Sequence, residues 1–297
     1  VSSAQRPPAA SGADALPPDI ATSPLRNSDA TYIIRSGAAA ESRLELLARI
    51  CWPATEQFLH RRSAIRGRVL DVGCGSGDVA MRMIAAGADE AVGIDINAEV
   101  VAIAQARTAA LGSAATFRLA GIDDVGGADL RDFDVVYSRC VLSHLPDPRA
   151  AMAALWRAVT PGGVLMIEDV EVAATWGSPP SAALARYREL YVAAANANGA
   201  SPAVGAELAC FLHDLGATEV EVDLTQPVLR TPEDQMIHAV TMDAIANPVI
   251  MRGLASAEEV DGLVRTLTDY AHAPGTVSTL PRIVQVSGRR PVSRGHA

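Results

Sequence analysis

The chain has 297 residues, of which 49% are hydrophobic, 20% charged and 4% aromatic. At about 150 residues per domain that is one large domain or two small ones, and either buries a core without disulfide or metal staples. The formal charge of −9 argues against nucleic acid as the main partner, because phosphate binding needs a clustered excess of Lys and Arg. All 25 basic residues are Arg, which excludes Walker-type phosphate loops and lysine Schiff bases.

Cys51, Cys74, Cys140 and Cys210 are scattered and form no C-x-x-C pair. That usage fits a reducing cytoplasm, where an isolated Cys behaves as a small buried hydrophobe. No run approaches the ~18 apolar residues of a membrane span, and the N-terminus lacks the basic-then-apolar layout of a secretory signal. The expectation is a soluble cytoplasmic protein.

Residues 1–28 contain Pro7, Pro8, Pro17, Pro18 and Pro24 among many Ala and Ser, and read as a disordered leader. Residues 29–64 read as an N-terminal helical lid. A helical rhythm starts near Ala38 and runs to residue 60, with a break or restart expected at Pro53. Strand signals follow at Arg68–Val72, Ala91–Asp95, Thr116–Leu119, Phe133–Tyr137 and Val164–Ile167, separated by helical stretches. The helix opened by Asp147-Pro148 is expected to end in Thr160-Pro161-Gly162-Gly163. Strands alternating with helices at this spacing predict an α/β fold with a parallel sheet over residues 65–170. Residues 171–297 read as a helical cap that also completes the sheet. Helices are expected over 181–198 and 204–215, and others start at Thr231-Pro232 and at the capping box Ser256–Glu259. Strands are expected at 219–224 and 282–286.

The most informative run is Val69-Leu70-Asp71-Val72-Gly73-Cys74-Gly75-Ser76-Gly77-Asp78. A strand enters three alternating glycines and then a helix, so a ligand can lie against peptide N–H groups. Dinucleotide folds use G-x-G-x-x-G; here the spacing is G-x-G-x-G, with an acid two residues before the first glycine. Asp71 would repel a pyrophosphate but suits a ligand carrying an ammonium and a sulfonium. Asp95 ends the second strand, where an acid accepts from both hydroxyls of a ribose. A nicotinamide enzyme is disfavoured on the glycine spacing.

These two runs resemble the first motifs of the class I S-adenosylmethionine-dependent methyltransferases. Asp132–Leu145 resembles the fourth motif, and Leu155-Trp156-Arg157-Ala158-Val159-Thr160-Pro161-Gly162-Gly163 the helix-and-turn signature after it. The similarity is greatest to the quinone-methylase-like, small-molecule branch, including bacterial specialised-metabolism members. It implies a Rossmann-like, mostly parallel seven-stranded sheet with helices on both faces and an antiparallel C-terminal strand. It also implies S-adenosylmethionine as cofactor, S-adenosylhomocysteine as product and a lipophilic small molecule as acceptor.

On that resemblance, Asp71 holds the methionine ammonium, Gly73 and Gly75 abut the methionyl and ribose moieties, Asp95 binds the ribose and Ile96 packs on adenine. The third motif, usually Gly-Asp-Ala, reads Gly121-Ile122-Asp123-Asp124, so Asp123 or, in its place, the Ile122 backbone meets the adenine amino group; the other reading of Asp123 and Asp124 is solvated loop acids. Arg139, at the end of the fourth strand, can clamp a carboxylate or only buttress its loop. Tyr32 resembles a lid aromatic over the cofactor; anchoring the lid is its other reading. His144 is the candidate general base, or else packs the start of the next helix; His238 is a weaker second. Tyr187, Tyr191, Met236, Met242, Ile245 and Met251 either line an apolar acceptor chamber or are ordinary core. Asp169 sits where some relatives hold a metal, but no companion ligands are evident, so a metal-free site is expected. The functional expectation is C- or O-methylation in natural-product biosynthesis. The alternatives are a quinone or lipid C-methylase and a protein that binds the cofactor without transferring methyl. No nucleic-acid partner or membrane span is expected, and the N-terminal helices are a candidate homodimer surface.

Overall fold

The computed structural model describes residues 38–61 and 65–292. The predicted leader and Tyr32 lie outside the described residues. The elements, in order, are α1 (Ala38–Arg61), β1 (Arg68–Val72), α2 (Asp78–Ala85), β2 (Glu90–Asp95), α3 (Ala98–Leu111), β3 (Ala115–Leu119), β4 (Phe133–Arg139), α4 (Pro148–Ala158) and β5 (Val159–Glu171). They continue as β6 (Gly177–Ser178), α5 (Ala182–Ala197), α6 (Leu208–Asp214), β7 (Thr218–Thr225), β8 (Val228–Leu229), α7 (Pro232–Ala244), α8 (Ala246–Met251), α9 (Ala257–His272), β9 (Val277–Thr279) and β10 (Arg282–Arg289).

Seven strands form one sheet in the order β3-β2-β1-β4-β5-β10-β7. The first five are parallel, and β10 runs antiparallel between β5 and β7. The expected sheet, including its antiparallel C-terminal strand, is present. Its two faces follow the period-2 alternation of strand side chains. Leu70, Val72, Val136 and Ile167 pack toward α4 and α6, whereas Val69, Tyr137 and Met166 join Phe58 of α1, Val79 of α2 and Ala104 of α3. Side chains such as Leu155 and Leu165 are fully buried, each contributing about 1.5–3 kcal/mol. A separate apolar core holds the cap together: Leu184 and Leu190 of α5, Met242 of α7, Val249 of α8 and Leu267 of α9.

Several cap boundaries follow their sequence signals. Ser181, Thr231 and Ser256 accept the N–H groups of Leu184, Asp234 and Glu259, capping α5, α7 and α9. Three local expectations are corrected. Pro53 does not break α1, which is continuous across it. Packing holds the helix on both sides, with Leu47, Ile50 and Cys51 against the cap junction and Phe58 and Leu59 against the sheet. Thr160–Gly163 is the start of β5 rather than the end of a helix. Gly162 N–H donates to the Arg290 carbonyl and Arg290 N–H to that of Gly163, both at 2.8 Å, so the returning chain draws the segment into the sheet. Finally, 204–215 divides into a 3-10 turn over Val204–Glu207 and a shorter α6. A small sheet, β6-β9-β8, was not read from the sequence because its strands are two or three residues long.

The strand order reverses between β1 and β4, which lie side by side although β2 and β3 intervene in sequence. Loops leaving such neighbours diverge and open a crevice at the C-terminal ends of the strands. Here those loops are Gly73–Gly77 and Cys140–Leu145. No described helix is long and apolar enough to cross a membrane.

Candidate active site

The crevice is a cavity of about 950 Å³. Its floor is the glycine loop. Gly73, Gly75 and Gly77 all have positive φ, at 73°, 52° and 81°, a region costly for residues with a Cβ. A Cβ at Gly73 would lie 2.2 Å from Val141 Cγ2 and one at Gly77 2.5 Å from Phe117 Cζ, whereas one at Gly75 meets nothing within 4 Å. Gly73 and Gly77 therefore serve close packing, and Gly75 faces the cavity.

Asp95 cinches the loop from β2. Its Oδ2 accepts from Gly75 N–H at 3.1 Å and its Oδ1 from Asn97 N–H at 2.9 Å. Each oxygen keeps lone-pair capacity for a further donor. Burial raises its pKa, and the backbone donors partly oppose that rise. Arg107 of α3 latches the other side of the loop, donating to the Ser76 carbonyl at 3.1 Å and to its Oγ at 3.0 Å, and pairing with Asp78 at 3.2 Å. Sequence reasoning missed Arg107, since nothing local links it to a loop 31 positions earlier.

Asp71 is 2% exposed and lines the cavity. Its Oδ2 is buried without a hydrogen-bond partner. Burial pushes its carboxyl up to about 7, against the pull of Arg139 and the Ala80 amide; Asp95 and Asp78 raise it further. A buried acid with an orphaned oxygen calls for a donor or a cation from outside the protein. Arg139 lines the same cavity and donates to Thr55 Oγ1 at 3.1 Å. Beneath it, Glu168 accepts from Tyr137 Oη at 2.6 Å and from Gln285 Nε2 at 2.7 Å. Ile96 is a cavity-lining apolar side chain with 36% exposure, and Ile122 lies buried in the wall. Asp123 is exposed and is not among the lining residues.

His144 lies in the cavity wall, on a single 3-10 turn over Leu142–His144. Asp169 fixes that turn by accepting Ser143 N–H at 3.2 Å, while its other oxygen accepts the N–H of its own neighbour Val170 at 2.8 Å. Asp169 is fully buried, and no group of three or more His, Cys, Asp or Glu side chains among the described residues is arranged to hold a metal ion. Burial, then the charge of Arg43, lowers the His144 pKa to about 4, so the imidazole is neutral at pH 7. Burial likewise holds His238 at about 4, and its Nε2 is 3.0 Å from Ser278 Oγ.

The cap closes the far end. Tyr187 and Tyr191 line the cavity in an edge-to-face pair at 6.4 Å, and Tyr187 also leans on His238 at 5.8 Å. The other four predicted chamber residues do not line it. Met242 and Ile245 are cap core, Met236 packs on that core, and Met251 is 84% exposed. In their place stand Arg43, Ile237, Thr241, Leu280 and Ile283. Of the cysteines, Cys51 and Cys74 are buried as expected, but Cys210 is exposed.

Comparison with known proteins places this geometry. A family model described as a methyltransferase domain matches residues 66–204. The ubiquinone biosynthesis O-methyltransferase of Hahella chejuensis is 35% identical over 132 residues, 44% of this chain and 55% of that one. The O-methyltransferase rstn1 of Aspergillus nomiae is 34% identical over 140 residues, 46% and 61% of the two chains. This chain thus spans about half the length of the curated relatives it matches. Among solved structures, phosphoethanolamine N-methyltransferase 2 of Haemonchus contortus aligns with a TM-score of 0.54 at 17% identity, covering 84% of this chain and 57% of that one. The YcgJ protein of Bacillus subtilis aligns at 0.52 and 16% identity, covering 80% and 97%. The fold is shared with these solved structures, a methyltransferase among them, and residues 66–204 match a methyltransferase-domain model.

Proposed function

We propose that this chain, built around a class I methyltransferase domain, transfers a methyl group from S-adenosylmethionine to a lipophilic small molecule. The observation that carries the reading is Asp71 Oδ2, buried without a partner at the cavity end where Asp95 holds the glycine loop. An ammonium satisfies that oxygen, and ribose hydroxyls find the remaining lone pairs of Asp95. Gly75 leaves room for the ligand backbone, Ile96 offers an apolar face to adenine, and the Ile122 backbone stands beside it. Arg139 keeps guanidinium donors for a carboxylate after its bond to Thr55. The residues present fit S-adenosylmethionine, which when bound supplies an activated methyl group on a sulfonium.

The cavity volume is at the top of the range for small-molecule sites, about 300–1,000 Å³, which supports a second molecule beside the cofactor. Tyr187, Tyr191, Ile237 and Leu280 supply apolar walls for it. What the protein contributes is alignment and exclusion of water. His144 is the proton acceptor in this reading. Being neutral it can take a proton, but its low basicity matches an acceptor that gives one up readily. The names of the relatives, O-methyltransferases in ubiquinone biosynthesis and in a fungus, favour oxygen as the methylated atom. The acceptor in this reading is a natural product or, alternatively, a quinone, the second supported by the ubiquinone biosynthesis in the first relative's name.

The test is calorimetric titration of the full chain with S-adenosylmethionine, S-adenosylhomocysteine and NAD, with Asp95→Ala as control. Micromolar binding of the two sulfur ligands is expected, weakened about tenfold or more in the variant, which loses charge-assisted hydrogen bonds. NAD binding, or no binding, overturns the reading. S-adenosylhomocysteine release in the presence of an acceptor then separates transfer from binding alone.

A further inference from the structure

Among the described residues, the cap end of the cavity holds a cation with no acid in the lining beside it. Arg43 of α1 is 6% exposed, lines the cavity, and has a buried Nε without a hydrogen-bond partner. Its helix neighbours Leu47 and Cys51 pack against Ile237 of α7, Leu280 just before β10 and Ile283 within β10, which places Arg43 with the cap rather than with the glycine loop. The acids lining the cavity are Asp71, Asp78, Asp95 and Glu99, all carried by β1, α2, β2 and α3 at the cofactor end. The electrostatic pattern divides the same way. Asp71 is influenced by Arg139, Asp95 and Asp78, whereas Arg43 acts on His144 and Tyr187.

A buried guanidinium nitrogen without a hydrogen-bond partner is costly. Such a group persists where a ligand supplies the missing anion. We propose that Arg43 is the acceptor-recognising cation of this cavity, and that the acceptor carries an anionic oxygen, either a carboxylate or an ionised phenol or enol. This rests on the methyltransferase reading above. It also fits the weak basicity of both cavity histidines, since an acceptor already ionised against Arg43 asks little of a base. Arg43 thereby sorts acceptors by charge, while the tyrosines and aliphatic walls sort them by shape.

The experiment uses the full chain saturated with S-adenosylhomocysteine, as wild type, Arg43→Gln and Arg43→Lys. Binding is measured at pH 8 for two matched pairs of probes: 2-naphthoate against methyl 2-naphthoate, and 4-nitrophenolate against 4-nitroanisole. Wild type is expected to bind the anionic member of at least one pair about tenfold more tightly, the worth of one charge-assisted hydrogen bond. Arg43→Gln brings that ratio to about one, and Arg43→Lys retains part of it. S-adenosylhomocysteine affinity is the same in all three proteins. A preference for naphthoate identifies a carboxylate, and one for nitrophenolate an ionised phenol or enol. Equal affinities within both pairs in wild type, a ratio unchanged by Arg43→Gln, or no binding of either anion overturns the proposal. Each of these results leaves the methyltransferase reading standing, whereas failure of wild type to bind S-adenosylhomocysteine overturns both. Melting temperature separates recognition from scaffolding: Arg43→Gln should melt no lower than wild type, and a clear drop in both variants counts against a recognition role.

Discussion

At the scale of single residues, the site is governed by how burial treats charge. Asp71 illustrates it: removal from water favours the neutral acid, and its carboxyl sits near 7 despite the nearby Arg139. Only the ionised form attracts an ammonium, so ligand binding should release a proton. S-adenosylhomocysteine affinity is therefore expected to rise with pH between 5.5 and 7.5, by about twentyfold for a group titrating at 7. Asp71→Asn should bind weakly at every pH and lose that dependence; a wild-type affinity that is flat in pH would exclude Asp71 as the ammonium ligand. Asp71 was legible in the sequence because its neighbours there are its neighbours in space. Arg43 was not, because its meaning depends on which partners are absent after folding.

At the scale of elements, α1 shows tertiary packing outweighing local propensity. Pro53 removes one backbone donor and crowds the preceding turn, yet α1 passes through it. Thr55 holds Arg139 and the Ala54 carbonyl holds Gln285, so the second half of the helix is tied to the sheet. The proline itself is exposed, so its loss empties little packed space. Pro53→Ala should therefore stabilise the protein by about 1–3 kcal/mol, given the helix penalty of proline, as read from urea unfolding midpoints. A loss of stability would mean that the kink is required to fit α1 against both the cap and the sheet. The opposite case is Thr160–Gly163. Its Pro-Gly-Gly composition signals a turn, but pairing with the returning chain at Arg290 makes it strand, a partner 127 residues away at its nearest.

At the scale of the whole molecule, two cores enclose one cavity. In the proposed reading the sheet core supplies the cofactor end, and the helical cap, with its own apolar interior, supplies the acceptor end. The chain passes between them repeatedly: α5 leaves the sheet, β7 rejoins it, α7 to α9 build the cap, and β10 returns as an inner strand. Damage in the cap core should thus be felt by the entire fold. Met242 is fully buried there, and Met242→Ala is expected to cost about 2–5 kcal/mol. Tryptophan fluorescence and far-ultraviolet circular dichroism should report one coincident unfolding transition. Separate transitions would show that the cap unfolds on its own.

By itself the sequence determined the α/β fold and the glycine loop and singled out Asp71 and Asp95 as candidates, because these are local patterns. A strand running into glycines, and an acid at the next strand's end, carry their chemistry in consecutive residues. The tertiary structure alone decided which side chains wall the cap end of the cavity. It sent Met242 and Ile245 into the cap core and left Met251 in solvent. It also set Arg43, Ile237 and Thr241 beside Tyr187 in the cavity. Helical spacing shows that an apolar face is buried; whether it is buried against protein or against a ligand depends on how helices far apart in sequence pack together.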